Sequence, residues 1–108
     1  MGAAGHRGSG VTVEITPLGT WGRAGLLAEY DPESDTIRID AVAVETIRGR
    51  LGAVEAEGFV TVAIAHERYH RANPGASEAL AHAHARATTG RDPERYECIL
   101  RDARSAVR

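Results

Sequence analysis

The first forty residues carry hydrophobic positions in short segments, and two of these alternate as in strands with one buried face. Residues 11–16 place Val, Val and Ile at every second position, and Pro17 ends this predicted strand. Residues 24–30 are largely apolar, 31–35 form the turn-like sequence Asp-Pro-Glu-Ser-Asp, and 36–40 alternate again. This pattern predicts a hairpin with a loop of about five residues, and we expect the first strand to join the same sheet.

Helical spacing replaces this alternation after Asp40, a residue suited to the N-cap position. Hydrophobic residues over 44–54 recur three or four positions apart, and Gly52 or Gly58 can interrupt this helix. The segment 58–72 favours a helix, although alternating Val and Ile residues leave a strand as the alternative in its first half. The chemistry of this segment, described below, supports the helix.

Two further helices are predicted in the last third of the chain. The sequence Asn-Pro-Gly at 73–75 is a strong helix stop, and Ser77 is suited to cap an alanine-rich helix that ends near Gly90. Asp92 caps the last helix, with Pro93 in its first turn. The apolar face of this last helix contains Tyr96, Ile99, Leu100 and Ala103.

Together these elements predict an α+β fold, in which a small antiparallel sheet of about three strands is followed by helices. The 108 residues suffice for one domain, predicted at 11–108 after a flexible, glycine-rich arm at 1–10. Leu, Ile, Val and Phe number only 21. The core is therefore thin, and it would gain stability from a bound metal or a partner subunit.

Composition argues against several classes of protein. The net charge of -2 disfavours a basic nucleic-acid-binding protein. No apolar run approaches the 18 residues of a membrane span, and the first ten residues lack the apolar segment of a signal peptide. Cys98 is the single cysteine, which excludes an internal disulfide and suits a reducing compartment. We expect Cys98 to be a small buried side chain and the protein to be cytoplasmic.

The most informative segment is Ala-His-Glu-Arg-Tyr-His at 65–70, which contains the pattern H-E-x-x-H. On a helix, His66 and His70 share one face with Cβ atoms about 6 Å apart, so both rings can bind one ion at about 2.0–2.1 Å. Glu67 points about 100° away from His66 around the helix axis. It therefore lies beside the ion, where it can take a proton from bound water. The pattern predicts a Zn²⁺ site with a general base.

A catalytic zinc ion needs a third protein ligand and one open position. Glu78 is the preferred candidate, because the turn at 73–75 would fold the next helix back toward the two histidines of the motif. His82 shares the face of Glu78 and is an alternative as third ligand, as a residue that supports a ligand, or as an oxyanion donor. His84 points about 200° away from His82 and is expected to be exposed.

The sequence H-E-R-Y-H at 66–70, followed by S-E-A-L-A at 77–81, resembles the gluzincins. The small size and the preceding hairpin are most similar to the minigluzincins, which are single-domain zinc peptidases, and the resemblance covers roughly residues 24–90. It also implies a latent state in which the C-terminal segment, in a dimer, covers the cleft. The gap between the motif and the glutamate is short for a gluzincin, and no residue matches the family's oxyanion-stabilising Tyr or His. The resemblance implies His66, His70 and Glu78 as zinc ligands and Glu67 as general base and acid.

Two functions therefore compete. The first is a zinc metallopeptidase that acts on a peptide or protein substrate, aligned by the edge strand near residues 26–30. The second is a non-catalytic, zinc-stabilised module that binds another protein, with zinc fixing two helices of a thin core. A metal-free regulatory domain is a third and weaker hypothesis. A homodimer is compatible with each of them, whereas nucleic-acid and membrane partners are not expected.

Overall fold

The computed structural model describes residues 10–18 and 27–106, apart from the side chains of Arg104 and Ala106. The predicted arm lies outside these residues except for Gly10. Within the described ranges, no helix is both long enough and apolar enough to cross a membrane. The elements in chain order are β1 (Thr12–Thr16), β2 (Ala28–Asp31), β3 (Thr36–Asp40), α1 (Ala41–Leu51), α2 (Ala53–Ala72), α3 (Glu78–Thr89) and α4 (Pro93–Ala106).

The three strands form one sheet in the order β1–β3–β2. β2 and β3 form the predicted hairpin, an antiparallel pair with Ala28 opposite Ile39. β1 pairs with β3 in parallel, with Thr12 opposite Thr36, so the sheet is mixed and the prediction of an antiparallel sheet is wrong. A tight turn imposes antiparallel pairing only on the strands it joins. Residues 17–35 separate β1 from β3, which is enough chain for the crossover that parallel pairing needs.

Asp40 ties the two parallel strands to the first helix. Its Oδ1 accepts a hydrogen bond of 3.0 Å from Leu18 N, just after β1, and its Oδ2 accepts one of 3.1 Å from Ala43 N in α1. Parallel strands end at the same edge of a sheet, and one buried carboxylate can therefore serve both the strand exit and the helix start. The N-cap prediction for Asp40 is confirmed.

The core lies between the sheet and the helices. Ile37 and Ile39 of β3 are fully buried, whereas Arg38 between them lies on the outer face among acidic side chains. Phe59 of α2 packs edge-to-face on Tyr96 of α4, with ring centroids 5.6 Å apart. Tyr96 is 2% exposed, which confirms its predicted place in the core.

α2 is one continuous helix, and it includes the segment 58–72, whose first half was compatible with a strand. It begins after Gly52, which has a φ of 98° in the left-handed region that favours glycine. Gly58 lies inside α2, so only the first of the two candidate interruptions occurs. The helix predicted over 58–72 is confirmed and the strand alternative is wrong. The buried residues recur three or four positions apart, at Ala56, Phe59, Ala63 and Glu67.

Turn and cap residues fold α3 and α4 back onto α2. Residues 73–75 follow the end of α2, and Ser77 Oγ accepts a backbone hydrogen bond of 3.1 Å in the first turn of α3. Gly90 ends α3 with a φ of 74°, and Asp92 Oδ1 accepts a backbone hydrogen bond of 3.1 Å at the start of α4. These predicted boundaries are confirmed.

The last two helices differ in how they are buried. α3 buries only Ala81 and Ala85, whereas α4 buries large side chains such as Tyr96 and Leu100. Cys98 is exposed, so the prediction of a buried thiol is wrong. Because each residue turns a helix by about 100°, Cys98 points about 200° away from Tyr96 and lies on the outer side of α4.

Candidate metal centre

The H-E-x-x-H pattern lies in the C-terminal half of α2, where this helix packs against α3. His66 and His70 are one helical turn apart, and their ring centroids are separated by 4.9 Å. Their side chains are 12% and 20% exposed. The helix therefore holds two largely buried imidazoles side by side.

Glu78 reaches both imidazoles from the first position of α3. Its Oε1 lies 2.9 Å from His66 Nε2, and its Oε2 lies 2.9 Å from His70 Nε2. The cap at Ser77 sets the direction of α3 at this point. The structure therefore brings the three residues together as the turn at 73–75 predicts, while their role as metal ligands stays a prediction.

The Nε2 atoms of both histidines face the Glu78 carboxylate, and a bound cation would replace the hydrogen bond between His66 Nε2 and Glu78 Oε1. Burial lowers the pKa of His66, and the positive charges of the neighbouring histidines lower it further, although the Glu78 carboxylate opposes this shift. A neutral imidazole is the form that binds metal. The contact between His70 Nε2 and Glu78 lacks hydrogen-bond geometry, so this buried nitrogen has no hydrogen-bond partner among the described residues.

Glu67 lies beside this cluster rather than within it. Its side chain is buried, and its Oε2 lies 3.9 Å from His66 Nε2. Burial raises the pKa of Glu67 to about 7, with smaller contributions from the negative charges of Glu78 and Glu29. A carboxylate with a pKa near neutrality can both take up and release a proton under physiological conditions.

His82 joins the cluster from the next turn of α3. Its ring lies edge-on to His66, with centroids 4.9 Å apart. Its Nε2 lies 2.7 Å from Glu97 Oε2 on α4, while its Nδ1 is buried without a hydrogen-bond partner among the described residues. The structure therefore places both candidates for the third ligand, Glu78 and His82, next to the motif.

This donor set fits a divalent cation. One ligand atom each from His66, Glu78 and His82 lie within 4.8 Å of one another, and the predicted ligand His70 does not belong to this group but lies against the other oxygen of Glu78. Donor atoms of a tetrahedral zinc site are about 3.4 Å apart when the bonds are about 2.0–2.1 Å, so small side-chain movements suffice. Imidazole nitrogen and carboxylate oxygen suit Zn²⁺. A cation would also satisfy two buried nitrogens, His70 Nε2 and His82 Nδ1, that have no hydrogen-bond partner within residues 10–18 and 27–106.

Two depressions border the cluster near strand β2. On one side a pocket of about 90 Å³ is lined by Leu27 and Ala28 and by residues of α2, α3 and α4. On the other side Tyr30 and Pro32 line a second, open depression, and Glu67 borders both. β2 is an edge strand of the described sheet, so its outer edge can receive an extended chain. The edge position predicted for this strand is confirmed.

Two tyrosines near the site have other contacts. Tyr69 stacks on the exposed His84, with ring centroids 4.8 Å apart, which confirms the predicted exposure of His84. Tyr96 lines the pocket, but its hydroxyl donates a hydrogen bond of 2.8 Å to Glu55 Oε1. Neither hydroxyl is a clear oxyanion donor.

Sequence reasoning missed Glu97 altogether. This residue belongs to α4, 15 positions after His82, and no spacing rule on a single helix connects the two. The sequence feature that could have pointed to Glu97 is its position directly after Tyr96, because the buried Tyr96 ring fixes the rotation of α4.

Comparisons with known proteins leave the family open. No family model, no curated protein and no solved structure matches this chain. The resemblance to the gluzincins therefore remains a prediction from the sequence motifs.

Proposed function

We propose that this protein is a zinc-dependent peptidase. The observation that supports the proposal is the convergence of two imidazole nitrogens on one carboxylate, each 2.9 Å away, beside a buried glutamate. His66, His70 and Glu78 would hold the metal. A structural cluster has no need of Glu67. Among the described residues its one ion-pair contact is His66 at 3.9 Å, and a buried carboxylate with so little support is costly and is typical of a catalytic acid or base.

The reaction would be hydrolysis of a peptide bond by water. Zinc, when bound, polarises the scissile carbonyl and makes water more acidic. Glu67 accepts a proton from the attacking water as the oxygen bonds to the carbonyl carbon. It then gives that proton to the amide nitrogen as the C–N bond breaks, which yields a free carboxyl group and a free amine.

The edge of β2 would position the substrate. A peptide that adds to this strand gains backbone hydrogen bonds without any requirement on its sequence. Side chains pointing toward α2 would enter the pocket lined by Leu27, Ala28 and Phe59. The substrate class is therefore an extended segment of a peptide or of an unstructured protein, with an apolar side chain next to the scissile bond.

The experiment compares wild type with Glu67→Gln on an unstructured protein substrate in the presence of Zn²⁺. General acid–base catalysis contributes about 10²- to 10⁴-fold, so Glu67→Gln should lower kcat/KM by that factor while zinc stays bound. Glu57→Gln is the matched control, because Glu57 is an exposed residue of the same helix, and it should leave activity unchanged. Equal activity in wild type and Glu67→Gln would contradict the proposal.

A second candidate function is a zinc-stabilised protein-interaction module. The observation that favours it is the poor burial of α3, which contributes only Ala81 and Ala85 to the interior. A metal held between α2 and α3 would supply the missing attachment. In that case zinc would raise the thermal stability of wild type and Glu67→Gln alike, and neither would cleave the substrate.

A further inference from the structure

His82 and Glu97 form a pair that the proposed mechanism does not use. The pair joins α3 to α4 at the wall of the pocket, and the 2.7 Å separation between His82 Nε2 and Glu97 Oε2 is that of a charge-assisted hydrogen bond. The side chain of His82 is 16% exposed, so most of the ring is shielded from water.

The hydrogen bond to Glu97 determines the tautomer of His82. A carboxylate only accepts hydrogen bonds, so Nε2 must carry the proton and donate it. In the neutral ring, which is the form that binds metal, Nδ1 then presents a lone pair, and this atom is buried without a hydrogen-bond partner among the described residues. A buried acceptor left unsatisfied costs free energy that a bound cation would recover.

The position of the His82 ring shows which metal site it would join. A ligand atom of His82 lies within 4.8 Å of ligand atoms of both His66 and Glu78. A histidine that donates its other ring N–H to a carboxylate is the usual arrangement of a metal ligand, because the carboxylate orients the ring and raises its basicity.

We infer that His82, oriented by Glu97, is a fourth protein donor to the metal of this site, and that it keeps the resting site closed. This inference rests on the proposed zinc site. His66, His70, Glu78 and His82 would fill the four positions of a tetrahedral ion, and four protein ligands are the mark of a closed site. Zinc-loaded wild type then cleaves slowly, through the fraction of molecules in which His82 has left the metal, and Glu97 is the positioning residue that holds His82 in place.

Zinc affinity tests the ligand role directly. We would measure it by competition with a chromophoric chelator for wild type, His82→Ala and Glu97→Gln. Loss of a supporting carboxylate weakens zinc binding by about 10- to 100-fold, and we expect this for Glu97→Gln and at least as much for His82→Ala. The matched controls are His84→Ala and Glu94→Gln, exposed residues of the same two helices, which should bind zinc as wild type does.

A second measurement tests whether the site is closed. With Co²⁺ in place of Zn²⁺, a small chelating probe such as acetohydroxamate should change the visible absorption of His82→Ala at lower concentration than that of wild type. At saturating zinc, His82→Ala should also cleave an unstructured substrate faster than wild type. If His82→Ala fails to fold, both measurements are repeated with Glu97→Gln, which keeps the size and shape of the side chain.

The outcomes separate this inference from the proposed function. If His66→Ala abolishes zinc binding while His82→Ala and Glu97→Gln bind as tightly as wild type, the fourth-donor inference is wrong and the metal site stands. If His82→Ala lowers cleavage at saturating zinc, His82 acts on the substrate and the inference is again wrong. If wild type binds no zinc, both fail. Weakened zinc affinity with no cleavage by any variant would support the ligand role and contradict the peptidase.

Discussion

Two polar clusters connect α2 to the helices that follow it, and they are built in opposite ways. At the N-terminal end of α2, the Glu55 carboxylate accepts hydrogen bonds from Tyr96 at 2.8 Å, Arg91 at 3.1 Å and Arg95 at 3.3 Å. These donors lower the pKa of Glu55, with the Tyr96 hydroxyl as the first cause. We call this set the Glu55 cluster.

In the C-terminal half of α2, the Glu67 carboxylate receives far fewer contacts from its described neighbours. Among the described residues its one ion-pair contact is with His66, 3.9 Å away, and burial raises its pKa to about 7. Nearby nitrogens of His70 and His82 are buried without hydrogen-bond partners in the part of the chain that the structure describes. The Glu55 carboxylate is well supplied with hydrogen-bond donors, whereas the Glu67 site contains buried nitrogens that lack partners among the described residues, and we expect it to lower the stability of the metal-free fold. Natural proteins tolerate buried polar groups without partners mainly at functional sites.

The largest expected effect is on the pH dependence of the metal-free protein. The folded-state pKa of Glu67 lies above the unfolded value of about 4.5, so the folded state binds more protons and stability falls as pH rises from there to about 7. A shift of this size corresponds to about 3 kcal/mol. Glu67→Gln should therefore gain stability over wild type progressively across this window, as measured by urea unfolding in chelator at pH 5 and pH 8.

Glu57→Gln is the control for this measurement, because Glu57 is exposed on the same helix and should not show the pH-dependent gain. A constant difference between wild type and Glu67→Gln at both pH values would mean that the carboxylate of Glu67 is solvated in the folded protein.

A smaller and opposite effect is expected at the Glu55 cluster. Tyr96→Phe removes a hydroxyl that donates to Glu55 and accepts from Arg91, and it keeps the ring that packs on Phe59. We expect a loss of about 1 kcal/mol in the free energy of unfolding, with no change in zinc affinity. Chemical denaturation with and without Zn²⁺ measures both. Stability equal to wild type would show that water replaces the hydroxyl and that the cluster is not structural.

The smallest effect tests how tightly the Glu55 cluster packs on α2. A methyl group at Gly58 would overlap the Arg91 guanidinium, although Ala in place of Gly inside a helix normally stabilises by up to about 1 kcal/mol. Gly58→Ala should therefore gain little in wild type and the full amount in Arg91→Ala. Gly49→Ala in α1 is the control, because nothing lies within 4 Å of a Cβ there.

Thermal unfolding of the two single variants and the double variant gives the coupling between Gly58 and Arg91. If Gly58→Ala stabilises wild type as much as Gly49→Ala does, the guanidinium moves aside freely. The Glu55 cluster would then contribute little rigidity.

Local chemistry explains which parts of this fold were predictable. Helix ends depend on single residues with strong backbone preferences, and Asp40, Ser77 and Gly90 act at their predicted places. The spacing of His66 and His70 is a property of any helix and survives in the structure. Such features need no knowledge of the remaining chain.

The features that failed depend on contacts between distant segments. Alternation shows which face of a strand is buried and carries no information on strand direction, so the parallel pairing of β1 was missed. The apolar helical pattern around Cys98 predicts a small buried side chain, but the rotation of α4 is set by larger neighbours and leaves the thiol exposed. Glu97 reaches His82 only because α3 and α4 pack together.

The alanine surface of α3 gives the site a freedom that bulky side chains would remove. Interlocking ridges fix the angle and height of one helix on another, but Ala81 and Ala85 present only methyl groups. We expect that α3, with such a smooth contact surface, can shift or rotate by a fraction of an ångström with little change in packing. Glu78 and His82 both belong to α3, so the carboxylate and the imidazole can move together toward a bound ion.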